Sequence, residues 1–251
     1  MSSSLLVKHA VFNNLDCLIL EDQSLRQETA ANLVLCHGYG APGDDLANVG
    51  VWLLQEFPAL AKDWRLIFPA APIDLSEAGM PGGRAWWPIN MSQLALMNQM
   101  RDFSQLSTIS PPGMQQATEQ LHEALQQMRS LWKCEFSDFV VGGFSQGAMV
   151  TTNLTLSFQL SFAHLCLFSG TLLNAAEWRQ HAATLPNMAV LMSHGNVDTV
   201  LPIESAEELR DLLSATGHSV DYLEFAGPHT IPVEAMQKLG VLLQNARATN
   251  T

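Results

Sequence analysis

The chain has 251 residues, 47% of them hydrophobic and only 14% charged, so it can bury a sizeable core as one large α/β unit or two small domains. Twenty-four acidic residues against 12 basic ones give a formal charge of −12, and no run of five basic residues occurs, so nucleic acid and anionic lipid surfaces are not expected as partners. No stretch approaches the roughly 18 apolar residues that span a bilayer, and the first 21 residues lack the charged and apolar regions of a signal peptide.

The first 30 residues hold two short strand candidates, Leu5–Phe12 and Leu15–Glu21. "ANLVLCHG" (31–38) reads as an apolar strand ending in glycine. Residues 45–57 carry apolar positions at helical spacing and stop at Pro58, and "WRLIFPAAP" (64–72) is a short buried strand cut by Pro69. A methionine-rich stretch, 91–107, follows "PGGRAWWPIN". The segment after Pro111 and Pro112 predicts a helix with Met114, Ala117, Leu121, Leu125, Met128 and Trp132 on one face. Strand and helix then alternate: "FSDFVVGG" and 146–158, "AHLCLFSG" and 175–184, "MAVLMSHG" and 203–215, "VDYLEFAG" and 233–246. Apolar strands separated by amphipathic helices predict a mostly parallel α/β sheet with helices on both faces. No linker interrupts the pattern, so 1–251 is expected to be a single domain, with a lid or insert at 90–110. Loops at the C-terminal ends of the strands should form the functional rim.

Directly behind the apolar "DFVV" stands "GFSQG", residues 143–147. A strand–turn–helix that exposes a serine needs glycine two positions before and two after it, because both lie against neighbouring backbone. Gly143 and Gly147 occupy those places around Ser145. A serine nucleophile needs a base, and the base an acid that orients it, in chain order serine, acid, histidine. Of the downstream histidines, His164 and His218 precede their strands, His181 lies inside a predicted helix, and His194 ends a strand but leads into "HGNVD". His229, in the proline-stiffened "FAGPHTIP", follows the last strand and is the expected base. Asp198 follows a strand end by four residues and is the expected acid. Asp211 and Asp221 point elsewhere, and Glu177 and Glu204 open helices, where a carboxylate suits the positive end.

Attack by serine creates an oxyanion that needs preorganised donors. One is the backbone N–H after the nucleophile, Gln146. The other should come from "HGYGAPGDD" (37–45). That loop also contains a GxGxxG, but the second strand ends "FPAAP" without the required acid, and Pro42 removes a donor, so a dinucleotide site is not expected. No HExxH, CxxC or carboxylate cluster suggests a metal, and no cofactor is expected. His37 and His194, each beside a glycine, are read as packing and loop-orienting residues. Cys17, Cys36, Cys134 and Cys166 are scattered in apolar contexts and read as buried thiols of a cytoplasmic protein.

Taken in order, "LCHGYGAPGDD", "FPAAP", "GRAWWPI", "GGFSQGAM", "FSGTL", "SHGNVDTVLP" and "FAGPHTIP" resemble the phospholipase/carboxylesterase family of α/β-hydrolases, which includes the acyl-protein thioesterases. The resemblance spans residue 33 to about 232. It implies the α/β-hydrolase fold and cofactor-free hydrolysis of carboxylic esters, acyl thioesters or lysophospholipids. It also implies Ser145, Asp198 and His229 as the triad, and the N–H groups of Tyr39 and Gln146 as the oxyanion hole. Trp86, Trp87 and Val200 are the expected substrate-binding residues, and the expected partner is a small ester or acylated molecule. The family is often dimeric, and no interface is legible here. Three features depart from the family pattern: Tyr39 in place of a common leucine, Pro88 in place of a common aspartate, and the length of 90–110. A catalytically silent α/β-hydrolase serving as a binding module is the competing expectation.

Overall fold

A computed structural model describes residues 5–90 and 106–248. Ten strands form, β1 (Leu5–Phe12), β2 (Leu15–Asp22), β3 (Ala31–Cys36), β4 (Trp64–Pro69), β5 (Ile73–Asp74), β6 (Arg84–Ala85), β7 (Phe139–Phe144), β8 (His164–Phe168), β9 (Ala189–Gly195) and β10 (Ser219–Phe225). Eight of them make one sheet in the order β1-β2-β4-β3-β7-β8-β9-β10. The six strands from β4 to β10 in that order are parallel, and β1–β2 and β2–β4 are antiparallel. A tight turn joins β1 to β2 through Asn13 and Asn14, both left-handed, so the two short strand candidates form an antiparallel hairpin laid on the parallel sheet. The pair β5–β6, which the sequence pattern did not anticipate, is a separate two-stranded ribbon.

Because successive side chains alternate across a strand, each buried strand feeds two cores. On β3, Val34 and Cys36 join one cluster, and Leu33 and Leu35 join the other; Leu165 and Leu167 of β8 likewise oppose Cys166 and Phe168. The larger core is closed by α2 (Met114–Trp132), α3 (Gln146–Ser157), α4 (Ala175–Ala182) and α5 (Ile203–Ala215). The smaller is closed by α1 (Ala47–Glu56) and α6 (Val233–Ala248).

Helix α3 departs from the amphipathic expectation: every residue from Gln146 to Leu156 is buried. It packs on the sheet between α2 and α4. Its polar residues are therefore paired inside the core, as buried polar groups must be. Thr152 donates to Ala148 O (2.8 Å) and Thr155 to Thr151 O (2.7 Å). Asn153 donates to Thr118 Oγ1 and accepts from Trp178 Nε1, each at 2.9 Å. All four cysteines are free. Burial pushes the Cys17 thiol up to about 12, and those of Cys36 and Cys166 upward too, so these three remain protonated packing groups.

Candidate active site

Strand β7 runs straight into α3 through Ser145, whose φ of 55° and ψ of −119° lie outside the regions comfortable for a side-chain-bearing residue. Such a conformation costs about 1–3 kcal/mol and persists only where its surroundings impose it. Here the surroundings are backbone. A Cβ on Gly147 would sit 1.9 Å from Cys36 O, and one on Gly143 would sit 2.4 Å from the same oxygen. The glycine spacing in the sequence thus reports a close approach of β3 to both sides of the turn. Ser145 N–H donates to Phe168 O (2.9 Å), which pins the turn to the end of β8.

The loop after β3 lies against this turn, for a Cβ on Gly38 would be 3.2 Å from Ser145 Cβ. His37 shapes it. Ala71 N–H donates to His37 Nε2 (3.0 Å), so the ring proton sits on Nδ1 and is donated to Gly38 O (2.8 Å). Burial holds the imidazole below the ordinary histidine value, against the pull of the Gly38 carbonyl, and keeps it neutral. Further on, Gly40 N–H donates to Arg84 O (2.9 Å), Ala41 N–H donates to Gly38 O (3.4 Å), and Arg84 N–H donates back to Ala41 O (3.0 Å). Among the described residues, no acceptor meets the Tyr39 N–H. Gln146, the first residue of α3, presents an N–H that has no intrahelical acceptor.

Asp198 and His229 come together from the loops after β9 and β10. Asn196 N–H donates to Phe225 O (2.9 Å) and Val197 N–H to Gly227 O (3.2 Å), which ties the two loops side by side. The Asp198 side chain is fully buried. Its Oδ1 accepts from the N–H groups of Val200 (2.7 Å) and Leu201 (2.9 Å), and its Oδ2 from His229 Nδ1 (2.6 Å). Burial by itself would raise this carboxyl. Hydrogen bonds from His194, His229 and Leu201 outweigh it and hold the group well below the usual carboxylate range. The His229 ring lies tilted against Phe144, the residue before Ser145 in this strand-to-helix elbow, with centroids 4.7 Å apart. With Nδ1 committed to Asp198, Nε2 is the nitrogen left to exchange a proton. Sequence reasoning therefore selected two residues, 31 positions apart, that the fold joins directly.

Beside the elbow lies a cavity of about 540 Å³, lined almost wholly by apolar groups that include Trp87, Leu106, Ile109, Met149, Leu173 and Leu201. Trp87, one of the expected substrate-binding residues, is among the lining residues. Trp86 and Val200, the other two, are not among the lining residues. Trp86 is fully buried, with its indole N–H donated to His37 O (3.0 Å), so it braces the loop after β3. Val200 is 38% exposed, and it is the next residue, Leu201, that turns inward. Of the methionine-rich stretch 91–107, residues 91–105 lie outside the described residues. Asn90 and Leu106, the described residues on either side of that gap, both line the cavity.

A family model described as Phospholipase/Carboxylesterase matches residues 20–246. The chain belongs to the phospholipase/carboxylesterase family. It is similar to acyl-protein thioesterase 1 of Eremothecium gossypii, with 27% identity over 177 residues, covering 69% of this chain and 68% of that protein. Among solved structures it is similar to esterase PE8 (TM-score 0.72, 22% identity, 97% of this chain and 99% of that one). It is also similar to the Bacillus cereus carboxylesterase (TM-score 0.62, 15% identity, 98% and 96%). The fold is the α/β-hydrolase fold, and this family member is a hydrolase of the carboxylesterase class.

One contributor to this candidate site was not legible. The Gln146 side chain, 1% exposed, accepts from Trp86 N–H (2.9 Å) and donates to Trp87 O (2.8 Å). It clamps the tryptophan segment to the first turn of α3. Sequence reading used Gln146 only for its main chain, and the one available signal was a long polar side chain opening a buried helix.

Proposed function

We propose that the protein hydrolyses carboxylic esters or acyl thioesters of small apolar acyl groups through a covalent acyl-enzyme on Ser145. The observation that carries this reading is the 2.6 Å bond from His229 Nδ1 to the buried Asp198 carboxylate, beside a serine held in a strained turn. His229 Nε2 takes the proton from Ser145 Oγ as Oγ bonds to the substrate carbonyl carbon. The carbonyl oxygen becomes an oxyanion received by the N–H groups of Tyr39 and Gln146. The carbon–oxygen or carbon–sulfur bond to the leaving group then breaks, and His229 returns the proton to the departing alcohol or thiol. Water, deprotonated by the same histidine, releases the acid and restores Ser145. Asp198 keeps His229 in the tautomer with Nδ1 protonated and balances the charge that forms on it.

The apolar cavity supports an acyl chain of hydrocarbon character, since burying each methylene is worth about 0.8 kcal/mol. Similarity to an acyl-protein thioesterase supports testing thioesters beside oxygen esters. A fluorophosphonate probe tests the reading: it is expected to add one label, located on Ser145 and lost in Ser145→Ala. A protein that hydrolyses 4-nitrophenyl acetate yet takes no label on Ser145 would overturn the mechanism, and one that does neither would be a silent binding module.

A further inference from the structure

We infer that His194 is a positioning residue for the Asp198 carboxylate, so that the acid of this site is held by two histidines on one oxygen. The inference rests on the reading of Asp198 and His229 proposed above. His194 is the last residue but one of β9 and is 1% exposed. Its Nε2 lies 3.2 Å from Asp198 Oδ2, the same oxygen that His229 Nδ1 reaches, and 3.0 Å from Leu201 O. Both neighbours are acceptors only, so Nε2 must carry the ring proton. Its Nδ1 is buried with no hydrogen-bond partner among the described residues. His194 is therefore a fixed donor and plays no part as a base.

The geometry gives that donor a task. The two N–H groups of Val200 and Leu201 fix Oδ1, but on their own they leave the carboxylate free to rock about the line through Oδ1. Oδ2 is located by the histidines, and His229 is the mobile one, with 15% of its side chain exposed and its ring due to change charge in each cycle. His194, rigid at the end of a buried strand, holds Oδ2 in place while His229 turns over. By reaching Leu201 O as well, it joins the carboxylate to the residue that lines the acyl cavity. His194 and His229 are the titratable groups in contact with the carboxylate. Removing His194 should concentrate the Asp198 charge on His229 and favour its protonated form.

Three variants test this on 4-nitrophenyl acetate, each checked for an unchanged melting temperature. His194→Gln places an amide N–H near the position of Nε2. His194→Asn places one only near Nδ1, and His194→Leu supplies none. Gln is expected within about threefold of the parent kcat. Asn and Leu should lose about tenfold to a hundredfold in kcat at unchanged KM, as expected for misplacement of a group near the chemistry. In these two, the acid limb of kcat/KM should also move to higher pH. If the leucine variant does not fold, the glutamine–asparagine contrast decides alone. Equal activity in the glutamine and asparagine variants, or losses with the acid limb unmoved, would overturn the role. Fluorophosphonate labelling keeps the two failures apart. An unlabelled Ser145 in the parent sinks the mechanism itself, whereas a labelled parent with indifferent His194 variants sinks only this inference.

Discussion

At the Ser145 turn the constraints come from backbone; in the cavity beside it they come from side chains. Around Ser145 a single methyl group has nowhere to go, with Cys36 O placed 1.9 Å from a Cβ on Gly147. The Asp198 carboxylate there is met by the N–H groups of Val200 and Leu201 and by the His229 ring, with His194 Nε2 3.2 Å from Oδ2. The cavity is about 540 Å³ of space between leucine, isoleucine, methionine and tryptophan surfaces, where one apolar group can replace another at modest cost. Substitutions should accordingly fall into two sets. At the turn they should affect all substrates alike and severely. In the cavity they should discriminate between substrates, and mildly.

The sharpest way to break that contrast is Ser145→Ala. It should lower kcat by about four to six orders of magnitude on every ester, with the fold intact. His229→Ala should be nearly as severe and Asp198→Ala somewhat milder, and double variants should lose little more than single ones because the three residues act as a unit. Losses that multiply in the double variants would show that the three act separately.

The same contrast governs what could be read from the sequence. The elbow was legible because its requirement is a missing side chain, and glycine at 143 and 147 records that directly. Asp198 and His229 were legible because topology puts the loops after β9 and β10 at one rim, and position along the chain then eliminates the other candidates. The two strands β1 and β2 and the helix over Met114–Trp132 followed from local pattern alone, whereas the antiparallel pairing of β1 with β2 did not. What stayed hidden depends on which distant group a side chain meets. Trp86 turns from the cavity because its indole N–H finds His37 O. Leu201 lines the cavity, whereas Val200 before it is 38% exposed, a difference that the local sequence does not record. Helix α3 is buried on all sides because α2 and α4 flank it, and its threonines, read locally, suggest a polar face.

Tyr39→Pro is the next largest effect expected. It removes an N–H that no acceptor takes among the described residues, whereas the neighbouring Gly40 and Ala41 amides already donate to Arg84 O and Gly38 O. Loss of one oxyanion donor lowers turnover about a hundredfold to a thousandfold. Tyr39→Leu keeps the N–H and should change a short ester little. A folded proline variant with near-normal turnover would exclude Tyr39 as the donor. A leucine variant as impaired as the proline one would move the role to the phenol ring.

Gly147→Ala comes after that. The added methyl must push α3 away from β3, carrying Ser145 with it, and a displacement of about 1 Å near the chemistry costs about a hundredfold. The melting temperature should fall as well, because the overlap lies inside the core. Wild-type turnover in this variant would mean that the elbow is not backbone-limited.

Acidity should act on the turn side of the contrast and not on the cavity. The Asp198 carboxyl is held well below its ordinary value in the folded protein. The stability it contributes is therefore fully present above the unfolded value of about 3.9 and is lost only as pH falls through the lower folded value. Activity lost on mild acidification therefore does not come from Asp198, and kcat/KM should fall about tenfold per pH unit below a single ionisation, equally for short and long esters. Chelators should leave the profile unchanged. Two acid-side ionisations, or an acid limb that moves with acyl length, would contradict this assignment.

The smallest effect tests the cavity. Ile109 is partly buried, lines the cavity, and its main chain is held by bonds from its N–H to Leu106 O (3.3 Å) and from Asn174 N–H to its own carbonyl (3.0 Å). Ile109→Val removes one methylene without disturbing either bond. If an acyl chain lies against this side chain, the lost contact is worth about 0.8 kcal/mol, or roughly fourfold in kcat/KM. The loss should appear for 4-nitrophenyl hexanoate or octanoate and be absent for the acetate, whose acyl group is too short to share in it. The comparison is internal to one variant, so active-enzyme concentration and labelling efficiency cancel. An equal decrease on acetate and octanoate would mean that Ile109 acts through the fold and not through the substrate. No change on any ester would place the acyl chain along another wall, with Leu173 and Met149 next to be tested in the same way.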